Sequence, residues 1–136
     1  KLLYDQVKEV AEDGRKVFYV SGEVDATDRE QIRGIVEGQK NAIIVASLGT
    51  FSTGINIRNL HNIIFASPSK SRIRNLQSIG RGLRLKDNDS DATLYDIADD
   101  LHWKSSKNYT LLHAAERIKI YTKEQFTFNI IEIPLP

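Results

Sequence analysis

The stretch Gln77-Ser78-Ile79-Gly80-Arg81-Gly82-Leu83-Arg84 sets two arginines three residues apart, behind a Gln and a Gly. A guanidinium is permanently charged, planar and forked, so a pair of them suits the oxygens of a phosphate. The segment before it, Lys70 to Ile79, is amphipathic. As a helix it would bring Gln77, Arg81 and Arg84 to one side or to its C-terminal turn. Gly80 and Gly82 would let the backbone leave helical geometry and aim the side chains outward. A bare Arg-x-x-Arg pair reads more readily as a solvated basic helix end. The flanking sequence has to decide between the two.

The charge around this stretch is lopsided. The net charge is only +1, yet from Gly38 to Lys86 there is no Asp or Glu, while Lys40, Arg58, Lys70, Arg72, Arg74, Arg81, Arg84 and Lys86 are basic. From Asp87 to Leu101 the sign reverses, with six Asp and no Lys or Arg. A basic middle in a near-neutral protein indicates a surface that meets an anion such as phosphate. The acidic stretch reads as a solvated loop and strand end.

The totals exclude other chemistries. The 136 residues, 40% apolar and 27% charged, suit one globular domain with its own core. The absence of Cys rules out a disulfide framework, a thiol nucleophile and a Cys-ligated metal. His61, His102 and His113 have no metal-site spacing, so no metal ligands are expected. No apolar run approaches membrane length, and Lys1-Leu2-Leu3-Tyr4-Asp5 does not read as a signal peptide, so a cytoplasmic protein without a membrane partner is expected.

The elements that must position the arginines follow from periodicity. Leu3, Val7 and Val10 give an amphipathic helix over residues 2–12, ending near Asp13-Gly14, which implies an upstream strand before Lys1. Residues 16–20 read as a strand. Thr27 to Glu30 has capping-box spacing and opens a second helix, with Ile32, Ile35 and Val36 apolar, that stops near Gly38. Residues 42–46 form an unbroken apolar run, as in a strand covered on both faces. Residues 61–66 and 92–97 read as further strands, with the arginine-bearing helix between them. Asn108 to Glu124 reads as a helix with Leu111, Leu112, Ala115 and Ile118 on one face, and alternating Phe126, Phe128 and Ile130 suggest a terminal strand. The fold class is therefore α/β: a parallel sheet flanked by helices, with an added C-terminal helix and strand.

In an open parallel sheet, ligands gather at the carboxyl ends of the strands. Three polar loops of small residues leave those ends, at Ser21-Gly22, at Ser47 to Asn56 and at Ser67 to Ser69, and are expected to open on one edge. Their hydroxyls and N–H groups suit phosphate oxygens without reading a base.

Together these features resemble a family, the second RecA-like lobe of superfamily 2 helicases. QSIGRGLR matches the Q-x-x-G-R-x-x-R element called motif six residue for residue. Ile43 to Ser47 followed by Thr53 to Ile57 is similar to motif five, and Val20-Ser21-Gly22 with Arg29 is similar to the segment between motifs four and five. The likeness covers roughly residues 15–100. The wording SLGTFSTGINIRNLHNIIFASP and the tail Glu116 to Tyr121 are most like the phage UvsW type of recombination and repair DNA helicase.

What the resemblance implies is an ATP-dependent DNA helicase or translocase acting on branched DNA. Residues 1–100 would be the RecA-like lobe, and residues 101–136 a helix and strand packed on the same domain. Arg81 and Arg84 would be arginine fingers to the ATP γ-phosphate, with Gln77 in their network. Gly54 and Asn56 would border the nucleotide, although the family often has Asp where Asn56 stands. Ser21, Gly22, Ser47 and Thr50 would hold the backbone of one DNA strand. The chain has no G-x-x-x-x-G-K-[ST] and no Asp-Glu pair for Mg²⁺ after an apolar strand. ATP and Mg²⁺ would thus be held mainly by a first RecA-like lobe of the same polypeptide, leaving this fragment alone inactive. If phage-encoded, the protein would work in the host cytoplasm. Rival readings are a non-enzymatic nucleic-acid-binding domain, an RNA helicase lobe, and a Rossmann-type nucleotide enzyme, which lacks its G-x-G-x-x-G here.

Overall fold

A computed structural model describes residues 1–12, 14–47, 60–66, 92–101 and 104–134. Its elements run in the order α1 (Leu2–Val10), β1 (Val17–Val20), α2 (Ala26–Glu37), β2 (Ile43–Ala46), β3 (Asn62–Phe65), β4 (Thr93–Asp96) and α3 (Tyr109–Lys123). Gln77, Arg81, Arg84, Gly54, Asn56 and Thr50 lie outside the described residues, as does the helix expected to carry the arginines. The described chain divides into two compact units, α1 to β2 and β3 to α3. The architecture is α/β with parallel strands, in keeping with a RecA-like lobe.

In the first unit β1 and β2 pair in parallel, with Val17 opposite Ile43 and Val20 opposite Ala46. Parallel neighbours need a crossover, and α2 supplies it. All four β2 residues are half-buried, where the apolar run suggested a strand covered on both faces; among the described residues β2 pairs with β1 alone. Val20 and Val36 make the core, 1% and 7% exposed. Helix α1 presents Tyr4, Val7 and Ala11 as its half-buried stripe, with Tyr4 against Tyr19 at a ring separation of 5.5 Å. Leu3 and Val10, expected inward, are exposed: the Tyr4–Tyr19 contact sets the helix rotation.

Helix α2 starts two residues earlier than the capping box proposes. Asp25 is the N-cap, and its Oδ1 accepts from the Thr27 N–H at 3.0 Å. Asp caps at least as well as Thr, and Glu30, the other half of the box, is taken by Arg33, whose Nε donates to both Glu30 carboxylate oxygens at 3.0 Å. The helix stops at Gly38 as expected.

In the second unit β3 and β4 pair in parallel, with Asn62 opposite Thr93 and Phe65 opposite Asp96. Ile63 and Phe65 alternate inward and are 8% exposed. Helix α3 is capped by Asn108, whose Oδ1 accepts from the Leu111 N–H at 3.2 Å. The expected terminal strand is not there: residues 126–134 form no ladder among the described residues. Phe126 and Phe128 instead place their rings 6.5 and 6.1 Å from that of Tyr121. An apolar alternation that packs on a helix reads like one that packs in a sheet.

Candidate functional site

Parallel pairing of β1 and β2 brings Ser21-Gly22 and Ser47 to one sheet end. The Ser47 N–H donates to the Val20 carbonyl at 3.0 Å, one step beyond the last ladder pair. Ser21 is buried, and the chain turns there: its carbonyl accepts from the Val24 N–H at 3.1 Å and its Oγ from the Glu23 N–H at 3.4 Å. Gly22 and Ser47 are exposed. A hydroxyl and a side-chain-free backbone at parallel strand ends can donate to phosphate oxygens, a contact that carries no base specificity. The α2 N-terminus already holds the Asp25 carboxylate, whose charge disfavours a phosphate on that helix. Of the three loops expected on one edge, two share an end; residues 67–69 lie outside the described residues.

A second polar cluster was not legible as one. Arg117 on α3 is only 1% exposed, and its Nε donates to Asp96 Oδ2 at 2.6 Å. The Tyr121 hydroxyl donates to the same oxygen at 2.6 Å. Burial, then the hydrogen bond to Asp96 and its charge, hold the Tyr121 hydroxyl well above the usual phenol range, so it remains a donor. Asp96 Oδ1 and Arg117 Nη1 and Nη2 are buried without a hydrogen-bond partner among the described residues. Asp96 therefore belongs to a buried ion pair, not to the solvated acidic run. The missed signal was Arg117 and Tyr121 four apart on one helix face, where they can share a partner.

The surface pair on α2 is of another kind. Arg33 bonds Glu30 and also Glu37, at 3.0 Å from Nη1. The hydrogen bond from Arg33 holds the Glu30 carboxyl below its ordinary value. Both groups are at the surface, where such pairs add little stability.

A family model described as the helicase conserved C-terminal domain matches residues 2–86, from the first residue of α1 past the arginine octapeptide. The chain belongs to this family. It is a helicase C-terminal domain, similar to the second lobe of superfamily 2 helicases as the motifs indicated. It is 39% identical over 138 residues to the "ATP-dependent DNA helicase uvsW" of Enterobacteria phage T4, so the UvsW-type likeness holds as well. That match covers 94% of this chain and 27% of the relative, so the helicase C-terminal domain described here spans about a quarter of that protein's length. No solved structure matches the chain. Strand β4 and helix α3 lie beyond the family match, and Asp96, Arg117 and Tyr121 with them. No described helix of the domain is long and apolar enough to cross a membrane.

Proposed function

We propose that this chain is the second lobe of an ATP-dependent DNA helicase or translocase that remodels branched DNA in recombination and repair. Arg81 and Arg84 would stabilise charge on the γ-phosphoryl group of ATP seated in a first lobe, with Gln77 in the same network. Gly54 and Asn56 would border the nucleotide. Mg²⁺ would be held by the first lobe, where it would neutralise phosphate charge. Ser21, Gly22, Ser47 and Thr50 would grip one DNA strand through its backbone. Residues 1–100 would form the lobe and residues 101–136 its extension, in a cytoplasmic protein of the host cell.

The observation that carries this reading is the octapeptide QSIGRGLR inside the family match. Phosphate gripping alone does not require two forks at that spacing behind Gln77. Splitting a nucleotide site between lobes makes hydrolysis depend on their closure, and closure can shift the grip on DNA. The name of the phage relative favours DNA over RNA.

The test is steady-state ATPase of the full two-lobed protein with and without branched DNA, beside strand separation on the same DNA. Hydrolysis that DNA stimulates and that accompanies strand separation supports the reading. Salt-sensitive DNA binding with neither activity would support a non-enzymatic binding domain instead.

A further inference from the structure

We propose that Asp96, Arg117 and Tyr121 form a positioning latch, by which α3 fixes the carboxyl end of β3, where the chain leading to Gln77, Arg81 and Arg84 departs. This inference rests on the function proposed above.

The latch sits at the right place. Phe65 is the last residue of β3 and lies in register with Asp96, the last residue of β4. The Ile97 N–H donates to the Phe65 carbonyl at 3.3 Å, tying the two strand ends together. Ala66 follows directly, and ten residues lie between it and Gln77 in the sequence. Whatever orients the Asp96 backbone therefore orients the exit of the arginine-bearing chain. Arg117 and Tyr121, one turn apart on α3, both bond the Asp96 Oδ2 at 2.6 Å.

The choice of residues also points to geometry rather than stability. Helix α3 has leucines available for burial, yet Leu111 is 40% exposed and Leu112 51%, while Arg117 is buried. A buried ion pair is a weak stabiliser, because desolvation offsets the attraction, but it tolerates one arrangement of its partners. Tyr121 in turn is packed against Phe126 and Phe128, so the segment after α3 braces the same hydroxyl. Arginines that must meet a γ-phosphate across a cleft are sensitive to such placement, since a shift of about 1 Å can cost roughly a hundredfold in rate.

The experiment uses the full two-lobed protein and compares wild type with Asp96→Asn, Asp96→Glu, Arg117→Lys and Tyr121→Phe. DNA-stimulated ATPase is measured against ATP concentration, well below each variant's melting temperature. We expect Asp96→Asn and Arg117→Lys to lower kcat about tenfold, with KM for ATP within about twofold. Asp96→Glu, which keeps the carboxylate, should recover more of kcat than Asp96→Asn, and Tyr121→Phe should lose about threefold. If a charge variant fails to fold, Tyr121→Phe carries the test, since it removes one hydroxyl. Lower melting temperatures with kcat within twofold of wild type in every folded variant would overturn the latch and leave the proposed function standing. A wild type without DNA-stimulated ATPase would overturn the proposed function, and the latch with it.

Discussion

Arg117 and Asp96 are unequal partners, and the inequality makes a prediction. The Arg117 side chain is 2% exposed and that of Asp96 18%. Removing the carboxylate strands a guanidinium on an almost fully buried side chain, whereas removing the guanidinium leaves a less buried carboxylate still bonded to Tyr121. Breaking a buried pair typically costs about 3–5 kcal/mol. Chemical denaturation should place Asp96→Asn towards the upper end of that range and Arg117→Leu below it; the opposite order would contradict the burial argument. Tyr121 adds a pH signature. Its hydroxyl is held above its unfolded value of about 10, so its contribution is fully present below that pH. As pH rises past 10 the unfolded chain gives up the proton first, and stability falls towards the folded value. Wild type should lose stability between pH 10 and 11.5 by up to about 1.4 kcal/mol per pH unit more than Tyr121→Phe. Parallel curves for the two proteins would remove Tyr121 from the cluster.

At the scale of elements, the places of the described helices and of β1 to β4 were legible, whereas their facing was not and the expected terminal strand did not form among the described residues. Val17 to Val20 and Ile43 to Ala46 are β-branched and apolar runs bounded by Gly and Ser, and both are strands. Helix α3 was expected from Asn108 to Glu124 and runs from Tyr109 to Lys123, because its cap and its 3.6-residue period are local signals. Which face turns inward depends on a partner far away in sequence. Leu111, Leu112, Ala115 and Ile118 looked like the buried face; the first three are exposed and Ile118 is half-buried, because Asp96 draws Arg117 and Tyr121 inward. The same gap explains α1, where an aromatic pair overrides Leu3 and Val10. At α2 two capping residues competed, and Asp25 won. Asp25→Ala should therefore cost about 1 kcal/mol in denaturant unfolding, while Thr27→Ala should cost only a few tenths. A larger loss at Thr27 would restore the capping box.

For the whole molecule, membership of the helicase C-terminal family was legible in the motifs. Gln77, Arg81, Arg84, Gly54 and Asn56, proposed for the nucleotide side, rest on motif spacing inside the family match and lie outside the described residues. The strand-end residues Ser21, Gly22 and Ser47 were legible through topology, and β1 and β2 do bring them to one end. Asp96 and Arg117 were not, since a buried charge carries no compositional mark.

The central claim is that Arg84 acts on ATP from across a cleft. The alternative is that it anchors a helix end to the acidic residues Asp87 to Asp91. An arginine finger contributes mainly in the transition state and is worth roughly 10³–10⁵ in rate. In the full two-lobed protein, DNA-stimulated ATPase and thermal unfolding should be measured together for wild type, Arg84→Ala and Arg84→Lys. We expect Arg84→Ala to lower kcat by at least about a hundredfold with ATP binding little changed. Arg84→Lys should recover only part of it, because an ammonium keeps the charge and loses the fork. An Arg84→Ala protein that melts early yet keeps more than about a third of the normal turnover per folded molecule would contradict the assignment.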